Sequence, residues 1–476
     1  MIIAFLALFH FALVVGFTLR ILLRDDLSPP ARLAWFIVLN VLPYIGSIIY
    51  FLFGEIDLGH KADKRHDEVF AEIRAKAGHL MGSGDHNMLK PHFRPATRYA
   101  ASINGFHPVT GNKAELMADA DETLTRLVAD IDAATDHVHV LYYIWLTDNT
   151  GTALAEALIR AAQRGVTCRA MADGLGSRAM VKSDLWQRMK EAGVQLAVAM
   201  PLDKLIVTIL TSRIDLRNHR KITVIDGRIT WCGSRNSADP EFRPKPKFAP
   251  WIDIMLRFTG PVVTQNQILF ASDWMQTTGE SLDVIPLPEQ SGEGGFPAQV
   301  MGDGPTERMG ATPQLFATLI ACATRDLTLS TPYFVPDATV LEALCAAALR
   351  GVRVVLIFPE RNDSWIVAAA SRSYYRKLLE AGCEIHEFQG GLLHAKTLTI
   401  DGALSLIGST NLDLRSFDLN YENNILLQDA ETTAAIRQRQ SEYIARARAV
   451  TLDEVHAWSR PRRIWNNVIA TVGPVL

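Results

Sequence analysis

One 18-residue pattern occurs twice in this chain of 476 residues. The first copy reads His219-Arg-Lys221-Ile-Thr-Val-Ile-Asp226 with Gly233-Ser234-Arg-Asn236, and the second reads His394-Ala-Lys396-Thr-Leu-Thr-Ile-Asp401 with Gly408-Ser409-Thr-Asn411. Every shared residue of the second copy lies 175 positions after its counterpart. Independent structural needs would not reproduce six residue types at matched offsets, so the pattern predicts two homologous halves.

The residue types in the pattern are suited to chemistry on a phosphodiester. Near neutral pH a histidine can act as nucleophile or proton donor. A lysine and an asparagine amide can hold phosphate oxygens by donating hydrogen bonds. Two sets facing each other would place a nucleophile on one side of phosphorus and an acid on the other. We therefore predict one shared site, built from His219, Lys221, Asn236, His394, Lys396 and Asn411.

The local spacing predicts how each copy folds. The histidine and lysine are two residues apart in an alternating apolar run, so on a strand they project from the same face. Asp226-Gly227 and Asp401-Gly402 are typical of hairpin turns. Both aspartates are opposite in strand parity to the lysines, so we interpret them as structural residues that shape the turn or bond to the backbone. A lone histidine on a strand is usually an ordinary hydrogen-bonded residue, but the duplication argues against that reading here.

Strands alternate with helices in both halves. The first half is predicted to contain strands at 138–145 and 168–172 and helices at 153–164 and 185–192. The second is predicted to contain strands at 327–334 and 354–358 and helices at 339–350 and 371–381. A glycine follows each helix, as is usual at helix ends. This alternation predicts an α/β fold with a helix-covered sheet in each half.

The N-terminal part of the chain is apolar. Met1 to Leu19 and Ala34 to Phe53 are each long enough to cross a hydrocarbon core, which needs about 20 residues. A cleaved signal peptide is the alternative for the first run, but that run lacks a basic leader and a second apolar run follows it. We therefore predict two transmembrane helices, the second kinked near Pro43 and Gly46.

The side of the membrane is less determined. Two spans place both chain ends on one side, and basic residues flank both possible cytoplasmic segments. The five cysteines are odd in number and widely spaced, which favours reduced, buried thiols over a disulfide framework or a zinc site. We therefore expect the catalytic region to be cytoplasmic.

The formal net charge of −3 argues against a general nucleic-acid-binding protein, which would usually be basic. Positive charge is instead local, because five basic residues surround the first copy of the pattern. Both a solvated surface and attraction of an anion remain open for this cluster, which consists of Arg217, Arg220, Lys221, Arg228 and Arg235.

The repeated pattern resembles the phospholipase D superfamily. Further segments resemble the bacterial cardiolipin synthases of that superfamily: Asn112 to Leu116, Leu141 to Trp145, Trp251 to Asp253 before Gly260-Pro261, and Leu412 to Ser416 through Asn420-Tyr-Glu422. With the apolar N-terminus, the similarity covers nearly the whole chain. It implies two phospholipase D-like halves, each a mostly β sheet flanked by helices, behind a multi-pass anchor in the bacterial inner membrane.

The domain prediction follows from these segments. It places a membrane anchor at 1–54, a connector at 55–108, the first half at 109–295, the second half at 296–460 and an apolar C-terminal tail at 461–476. The tail and the apolar segment Leu205 to Leu210 are expected either to pack in the core or to enter the membrane interface.

The resemblance also implies roles for individual residues. Asp253 and Glu422 would each orient the histidine of their own half, with a surface salt bridge as the alternative. His219 would attack phosphatidylglycerol, and His394 would protonate the leaving glycerol and then activate a second phosphatidylglycerol. Ser234 and Ser409 would support the phosphate pocket. No cofactor or metal is expected, because the paired lysines supply positive charge.

Other functions remain open. A hydrolytic phospholipase D or a superfamily phosphodiesterase or nuclease would use the same residues, although the apolar N-terminus and near-neutral composition disfavour a nuclease. A non-enzymatic membrane scaffold is disfavoured because both copies of the pattern are intact. The sequence does not determine which histidine attacks, whether phosphatidylethanolamine replaces one lipid, the acyl preference or the oligomeric state.

Overall fold

The computed structural model describes residues 1–24, 27, 29–42, 44–54, 60–201, 215–290 and 294–471. The chain forms two compact units. The smaller unit contains Met1–Ala62, and the larger unit contains most of the chain from Asp63 onward.

The smaller unit contains the helices Ile2–Leu22, Pro29–Val41 and Ile45–Phe53. Among the described residues, Ile2–Leu22 is the one helix long and apolar enough to cross a membrane. The second apolar run is instead divided between the two shorter helices, so it does not form the single long helix that the sequence predicts. Tyr50 packs edge-on against Phe17 and Trp35, with ring centroids 5.1 Å apart in both pairs. These contacts hold the three helices of the unit together.

The described part of the larger unit contains twenty strands, numbered here in chain order. They are β1 Val109–Leu116, β2 His137–Tyr142, β3 Thr167–Asp173, β4 Gln195–Ala199, β5 Arg217–Asn218, β6 Lys221–Ile225, β7 Ile229–Gly233, β8 Trp251–Ile252, β9 Met255–Thr259, β10 Phe296–Asp303, β11 Asp326–Ser330, β12 Phe334–Val335, β13 Arg353–Pro359, β14 Glu384–Phe388, β15 Leu392–Leu393, β16 Thr397–Ile400, β17 Leu404–Gly408, β18 Leu412–Asp413, β19 Asn420–Gln428 and β20 Ala447–Val450.

Sixteen of these strands form one continuous sheet, in which β5 pairs with β19 and the remaining order is β20-β14-β13-β11-β16-β17-β19-β10-β1-β9-β7-β6-β2-β3-β4. The strand order on one side of the central antiparallel pair of β1 and β10 matches the order on the other side. On one side follow β9, β7, β6, β2, β3 and β4, and on the other β19, β17, β16, β11, β13 and β14. The two homologous halves are therefore present, but they share a single sheet where the sequence suggested one sheet for each half.

The described helices from residue 60 onward are His60–Ala77, Arg94–Asn104, Ala120–Asp132, Asn149–Gln163, Arg178–Val181, Asp184–Glu191, Val262–Thr278, Ala311–Cys322, Ala338–Leu349, Trp365–Glu380, Leu414–Asp418, Ala430–Ala445, Leu452–His456 and Arg460–Thr471. Equivalent helices begin in the same way, because Asp148 accepts a hydrogen bond from Gly151 N (3.0 Å) and Asp337 accepts one from Val340 N (2.9 Å). Gly165 and Gly351, with φ of 92° and 94°, follow these helices. The predicted repeat of strand, helix and glycine is thus confirmed.

The helix Val262–Thr278 is buried along most of its length and carries polar side chains into the interior. Its Gln265 accepts a hydrogen bond from Val300 N (2.9 Å). Its Asn266 donates to Thr230 Oγ1 (2.7 Å) and accepts from Asn423 Nδ2 of the second half (2.8 Å). Since the amides of Gln265 and Asn266 have partners in these bonds, these two residues tie the halves together at low desolvation cost.

Several segments singled out in the sequence differ in what the structure describes. Leu205 to Leu210 and residues 472–476 lie outside the described residues. The rest of the C-terminal tail is the helix Arg460–Thr471. All five cysteines are free and buried, as predicted: Cys168, Cys232, Cys322, Cys345 and Cys383.

Candidate active site

Each histidine of the repeated pattern lies immediately before a central strand, on backbone held by the opposite half. β5, which precedes His219, pairs in parallel with the start of β19. β15, which precedes His394, pairs in parallel with β8. His219 N donates to Tyr421 O (2.9 Å), and His394 N donates to Ile252 O (2.8 Å). Each half therefore positions the histidine of the other.

This exchange determines which carboxylate serves which histidine. His219 Nδ1 lies 2.9 Å from both carboxylate oxygens of Glu422. His394 Nδ1 lies 2.6 Å from Asp253 Oδ1. Each of the two carboxylates proposed from the sequence contacts a histidine, but it is the histidine of the other half, so the expectation that each serves its own half is wrong. The physical reason is that Asp253 directly follows β8, which pairs with β15 of the second half, and Glu422 is on β19, whose first residues pair with β5 of the first half.

The two serines bond to these carboxylates. Ser234 Oγ donates to Asp253 Oδ1 (2.7 Å), and Ser409 Oγ donates to Glu422 Oε2. Each serine oxygen also accepts a backbone N–H, from Ile254 at 3.1 Å and from Asn423 at 2.9 Å. Ser234 and Ser409 thus hold the carboxylates in place, and through them the histidines.

Electrostatics keeps both carboxylates ionised. Burial acts to raise the pKa of Asp253, but the electrostatic interaction and hydrogen bond with His394, together with the positive charge of Lys396, outweigh it and lower that pKa well below its usual range. The same balance, with His219 as partner, lowers the pKa of Glu422. A fixed carboxylate at Nδ1 leaves Nε2 as the ring nitrogen that can react.

Both histidines have lowered pKa values. Burial lowers the pKa of His219 to about 4, with a further lowering by Lys221, although Glu422 acts in the opposite direction. Burial and then Lys396 lower the pKa of His394. His219 is therefore a neutral imidazole at physiological pH, the form that can act as a nucleophile.

The lysines lie against their own histidines. Lys221 Nζ donates to His219 O (2.5 Å), and Lys396 Nζ donates to His394 O (2.8 Å) and lies 2.9 Å from His394 Nε2. Both side chains are buried. Burial lowers the pKa of Lys221 to about 7 and that of Lys396 to about 8. Such easily discharged ammonium groups favour an anion as their partner.

A cavity of about 300 Å³ brings the two patterns together, with His219, Asn236, His394 and Asn411 in its wall. Asn236 Oδ1 accepts a bond from Ile144 N (3.2 Å), and Asn411 Nδ2 donates to Ser416 Oγ (3.1 Å). Within the described part of the chain, Asn236 Nδ2 and Asn411 Oδ1 are buried without a hydrogen-bond partner. Because unpartnered buried polar atoms are costly, these amides are suited to a polar ligand in the cavity.

Asp226 and Asp401 lie away from the cavity and stabilise turns, as predicted. Both have positive φ, 51° and 52°, at the start of the hairpin turns between β6 and β7 and between β16 and β17. Asp226 accepts backbone N–H bonds from residues 135–137, and Asp401 accepts them from residues 324–326. Each therefore joins its hairpin to the start of a neighbouring strand.

Sequence reasoning missed several residues at the site. Tyr143 packs edge-on against His219 with ring centroids 4.8 Å apart, and Trp251 packs against His394 at 4.6 Å. Arg220 is buried, pairs with Asp273 and donates to Glu422 O (3.0 Å). The signal for Tyr143 and Trp251 was their place in segments that resemble the family, but nothing local marked Asp273.

The basic cluster around the first pattern is mostly internal. Arg217, Arg220 and Arg235 are buried, and Arg228 is exposed. Arg235 donates to Thr150 Oγ1 (3.3 Å). These arginines therefore form neither a solvated surface nor an open anion-attracting patch.

Comparison with known proteins agrees with this geometry. Residues 127–245 and 316–443 match the family model described as cardiolipin synthase, PLD-like domain, and residues 12–55 match the model described as phospholipase D-nuclease N-terminal. Cardiolipin synthase A of Yersinia pseudotuberculosis serotype O:1b (strain IP 31758) is 35% identical over 483 residues, covering 98% of this chain and 96% of that protein. Cardiolipin synthase A of Yersinia pestis bv. Antiqua (strain Angola) gives the same values.

A solved structure supports the fold. Phosphatidylserine synthase of Haemophilus influenzae Rd KW20 superposes with a TM-score of 0.61 at 13% identity, covering 81% of this chain and 100% of that one. The duplicated pattern, the single sheet and the family match over both halves lead to one assignment. The chain belongs to the cardiolipin synthases of the phospholipase D superfamily.

Proposed function

We propose that this protein transfers a phosphatidyl group between two phosphatidylglycerol molecules, giving cardiolipin and glycerol. The observation that carries the proposal is the shared cavity, whose wall contains a carboxylate-bound histidine from each half. The relatives named cardiolipin synthase A support the choice of substrate.

In the first step, neutral His219 attacks phosphorus through Nε2. A P–N bond forms, the bond from phosphorus to the glycerol oxygen breaks, and His394 gives its Nε2 proton to that oxygen. The product is a phosphohistidine that bears diacylglycerol, together with free glycerol. The assignment of His219 as nucleophile follows the family resemblance, and its lowered pKa, caused mainly by burial, favours the neutral form that attack requires.

His394 must carry a proton on Nε2 for this step, and the geometry suggests how substrate promotes it. Lys396 Nζ lies 2.9 Å from this nitrogen. A phosphate oxygen would compete for the lysine N–H and leave Nε2 free to be protonated. The negative charge of the phosphodiester would also raise the pKa of the nearby imidazole.

In the second step, His394 accepts a proton from the terminal hydroxyl of another phosphatidylglycerol. That oxygen attacks phosphorus, the P–N bond breaks, and cardiolipin forms as His219 returns to its neutral state. Lys221, Lys396 and the free Nδ2 of Asn236 would hold the non-bridging oxygens and stabilise the five-coordinate transition state. Asn411 would join them once its amide turns, so that Ser416 Oγ donates to Oδ1 and Nδ2 is released for the phosphate. Ser234 and Ser409 support both steps indirectly by fixing the carboxylates.

The rest of the chain would place this chemistry at a membrane. We assign residues 1–54 as a multi-pass anchor, in which the helices Pro29–Val41 and Ile45–Phe53 together form a second membrane element. The five reduced cysteines support a cytoplasmic catalytic region on the bacterial inner membrane. The connector, the two halves and the tail keep the bounds 55–108, 109–295, 296–460 and 461–476.

The test offers the purified full chain phosphatidylglycerol in liposomes and identifies the products by mass spectrometry. Cardiolipin and glycerol in equal amounts are expected, and phosphatidic acid alone would instead indicate a hydrolase. His219→Ala and His394→Ala should abolish cardiolipin formation. His456→Ala is the matched control, because that side chain is 47% exposed and outside the cavity. Normal synthesis by either active-site variant would contradict the two-histidine mechanism.

A further inference from the structure

The C-terminal helix Arg460–Thr471 has one buried and one exposed apolar side. Asn466 and Ile469 are buried, and Ile469 belongs to a small apolar cluster of the second half that contains Val335 and Ala370. On the other side Ile464, Trp465 and Val468 are 64%, 50% and 52% exposed. Their spacing places them on one stripe of the helix. Core packing therefore explains only half of this helix.

A second exposed tryptophan extends the stripe. Trp365, the first residue of the helix Trp365–Glu380, is 63% exposed and stacks on Trp465 with ring centroids 5.8 Å apart. We call Trp365, Ile464, Trp465 and Val468 the tryptophan face. Four large apolar side chains gathered in one exposed patch are unusual on a protein surface that meets only water.

The tryptophan face lies next to the active-site cavity. Asp363 lines the cavity together with His219 and His394. Trp365 follows Asp363 by two residues, so their Cα atoms are at most about 7 Å apart. A molecule bound to the tryptophan face would thus lie close to the wall of the cavity.

Several exposed basic residues lie around the tryptophan face and the adjacent cavity wall, although the whole chain has a net charge of −3. Arg460 and Arg463 are exposed on the helix Arg460–Thr471. Lys245 contributes to the cavity wall, where it pairs with Asp363 (2.6 Å), and its neighbours Arg243 and Lys247 are exposed. Exposed Trp and aliphatic side chains flanked by Arg and Lys are the combination that binds the interface of an anionic bilayer.

We propose that the tryptophan face docks the catalytic region onto the surface of an anionic phospholipid bilayer and so brings the cavity close to its lipid substrate. This inference rests on the proposed function for the identity of the lipid. The docking itself does not require that the protein produce cardiolipin. In this proposal the tryptophan face binds the bilayer surface. Binding of a second copy of the chain or of another protein to this face would oppose the proposal.

The test uses the full chain in nanodiscs that contain phosphatidylglycerol with brominated acyl chains. Val468→Cys is labelled with an environment-sensitive fluorophore, which is selective because the native cysteines are buried. Leu349→Cys is the matched control. Leu349 is 73% exposed and precedes β13, whereas the cavity residue Asp363 follows β13. Leu349 and Asp363 therefore lie beyond opposite ends of that strand.

Docking predicts that brominated lipid quenches the label at position 468 strongly and the label at position 349 weakly. Equal, weak quenching at both positions would overturn the proposal. So would a change at position 468 that depends on protein concentration and not on bromine, because it would indicate a second copy.

An activity measurement supports the labelling and separates the two hypotheses. Trp465→Ser should raise KM for phosphatidylglycerol in vesicles roughly three- to tenfold with kcat nearly unchanged, because it removes apolar contact with the bilayer. Leu349→Ser should leave both constants unchanged, and an equal KM for the two variants would oppose docking. If the wild-type chain produced no cardiolipin, the proposed function would fail while the quenching result would still decide the docking.

Discussion

Glu422→Gln is the sharpest test of the exchanged pairing between carboxylates and histidines. Glu422 is fully buried and meets His219 Nδ1 at 2.9 Å through both oxygens. It also accepts bonds from Ser409 Oγ and from Asn420 Nδ2 (3.2 Å). Glutamine has nearly the same shape, but it has one acceptor oxygen and no charge. The substitution therefore removes the electrostatic contact and preserves the packing.

The expected loss follows from the charge that develops on His219. When Nε2 attacks phosphorus, the imidazole becomes cationic, and a carboxylate about 4 Å from that charge contributes about 4 kcal/mol at an effective dielectric constant of 20. The loss of a charge-assisted hydrogen bond alone gives about 2 kcal/mol. We therefore expect kcat/KM to fall roughly 30- to 900-fold.

The assay is the initial rate of cardiolipin formation in phosphatidylglycerol vesicles, with thermal unfolding measured on the same preparations. Glu384→Gln is the matched control, since Glu384 is on β14, is 40% exposed and pairs with Arg353 at the surface. It should remain within about twofold of the wild type, as surface ion pairs contribute little. A Glu422→Gln protein that folds normally and keeps more than a third of wild-type kcat/KM would refute the pairing argument.

Three further predictions concern stability and pH. Asp401→Ala should lower the free energy of unfolding by about 2 kcal/mol in chemical denaturation while kcat persists, because backbone N–H groups lose a buried acceptor. Hydrogen bonds outweigh burial and lower the pKa of Asp401, so its stabilisation should disappear as the pH falls below about 4. Lys221→Met should abolish transfer yet raise the free energy of unfolding at pH 8 by about 2 kcal/mol. The reason is that burial lowers the pKa of Lys221 to about 7, so at pH 8 the wild-type lysine binds a proton in the unfolded chain but not in the folded one. A less stable variant would contradict this. The pH profile of kcat/KM should fall above about pH 7, where Lys221 and then Lys396, with pKa values near 7 and 8, lose their protons, and a flat profile to pH 10 would exclude that role.

The features predictable from the sequence are those set by neighbouring residues. Asp226-Gly227 and Asp401-Gly402 indicated hairpin turns, and the structure gives all four residues positive φ. The repeat of strand, helix and glycine was also readable, because helical and strand periodicities are local. The duplicated histidines and asparagines likewise line one cavity.

The features that the sequence did not reveal depend on contacts between distant residues, which are 203 positions apart for His219 and Glu422 and 141 for His394 and Asp253. The pairing of β5 with β19 and of β8 with β15 decides which carboxylate meets which histidine, and no local pattern encodes it. The buried helix Val262–Thr278 escaped notice because Gln265 and Asn266 are polar and break the usual apolar stripe. Their hydrogen-bond partners lie in other strands, so only the folded protein shows that these amides are buried and paired.

The exchanged carboxylates also bear on how such a chain could arise. Two identical subunits related by a twofold axis, each lending its acid to its neighbour's histidine, would have to carry the same acid in both places. A single chain that holds both copies has no such obligation. Here one position is Asp253 and the other is Glu422, and the aromatic ring of Trp251 occupies the position equivalent to Asn420. Covalent fusion of the halves thus permits each histidine to acquire surroundings of its own, which is the condition for one to specialise as nucleophile and the other as acid.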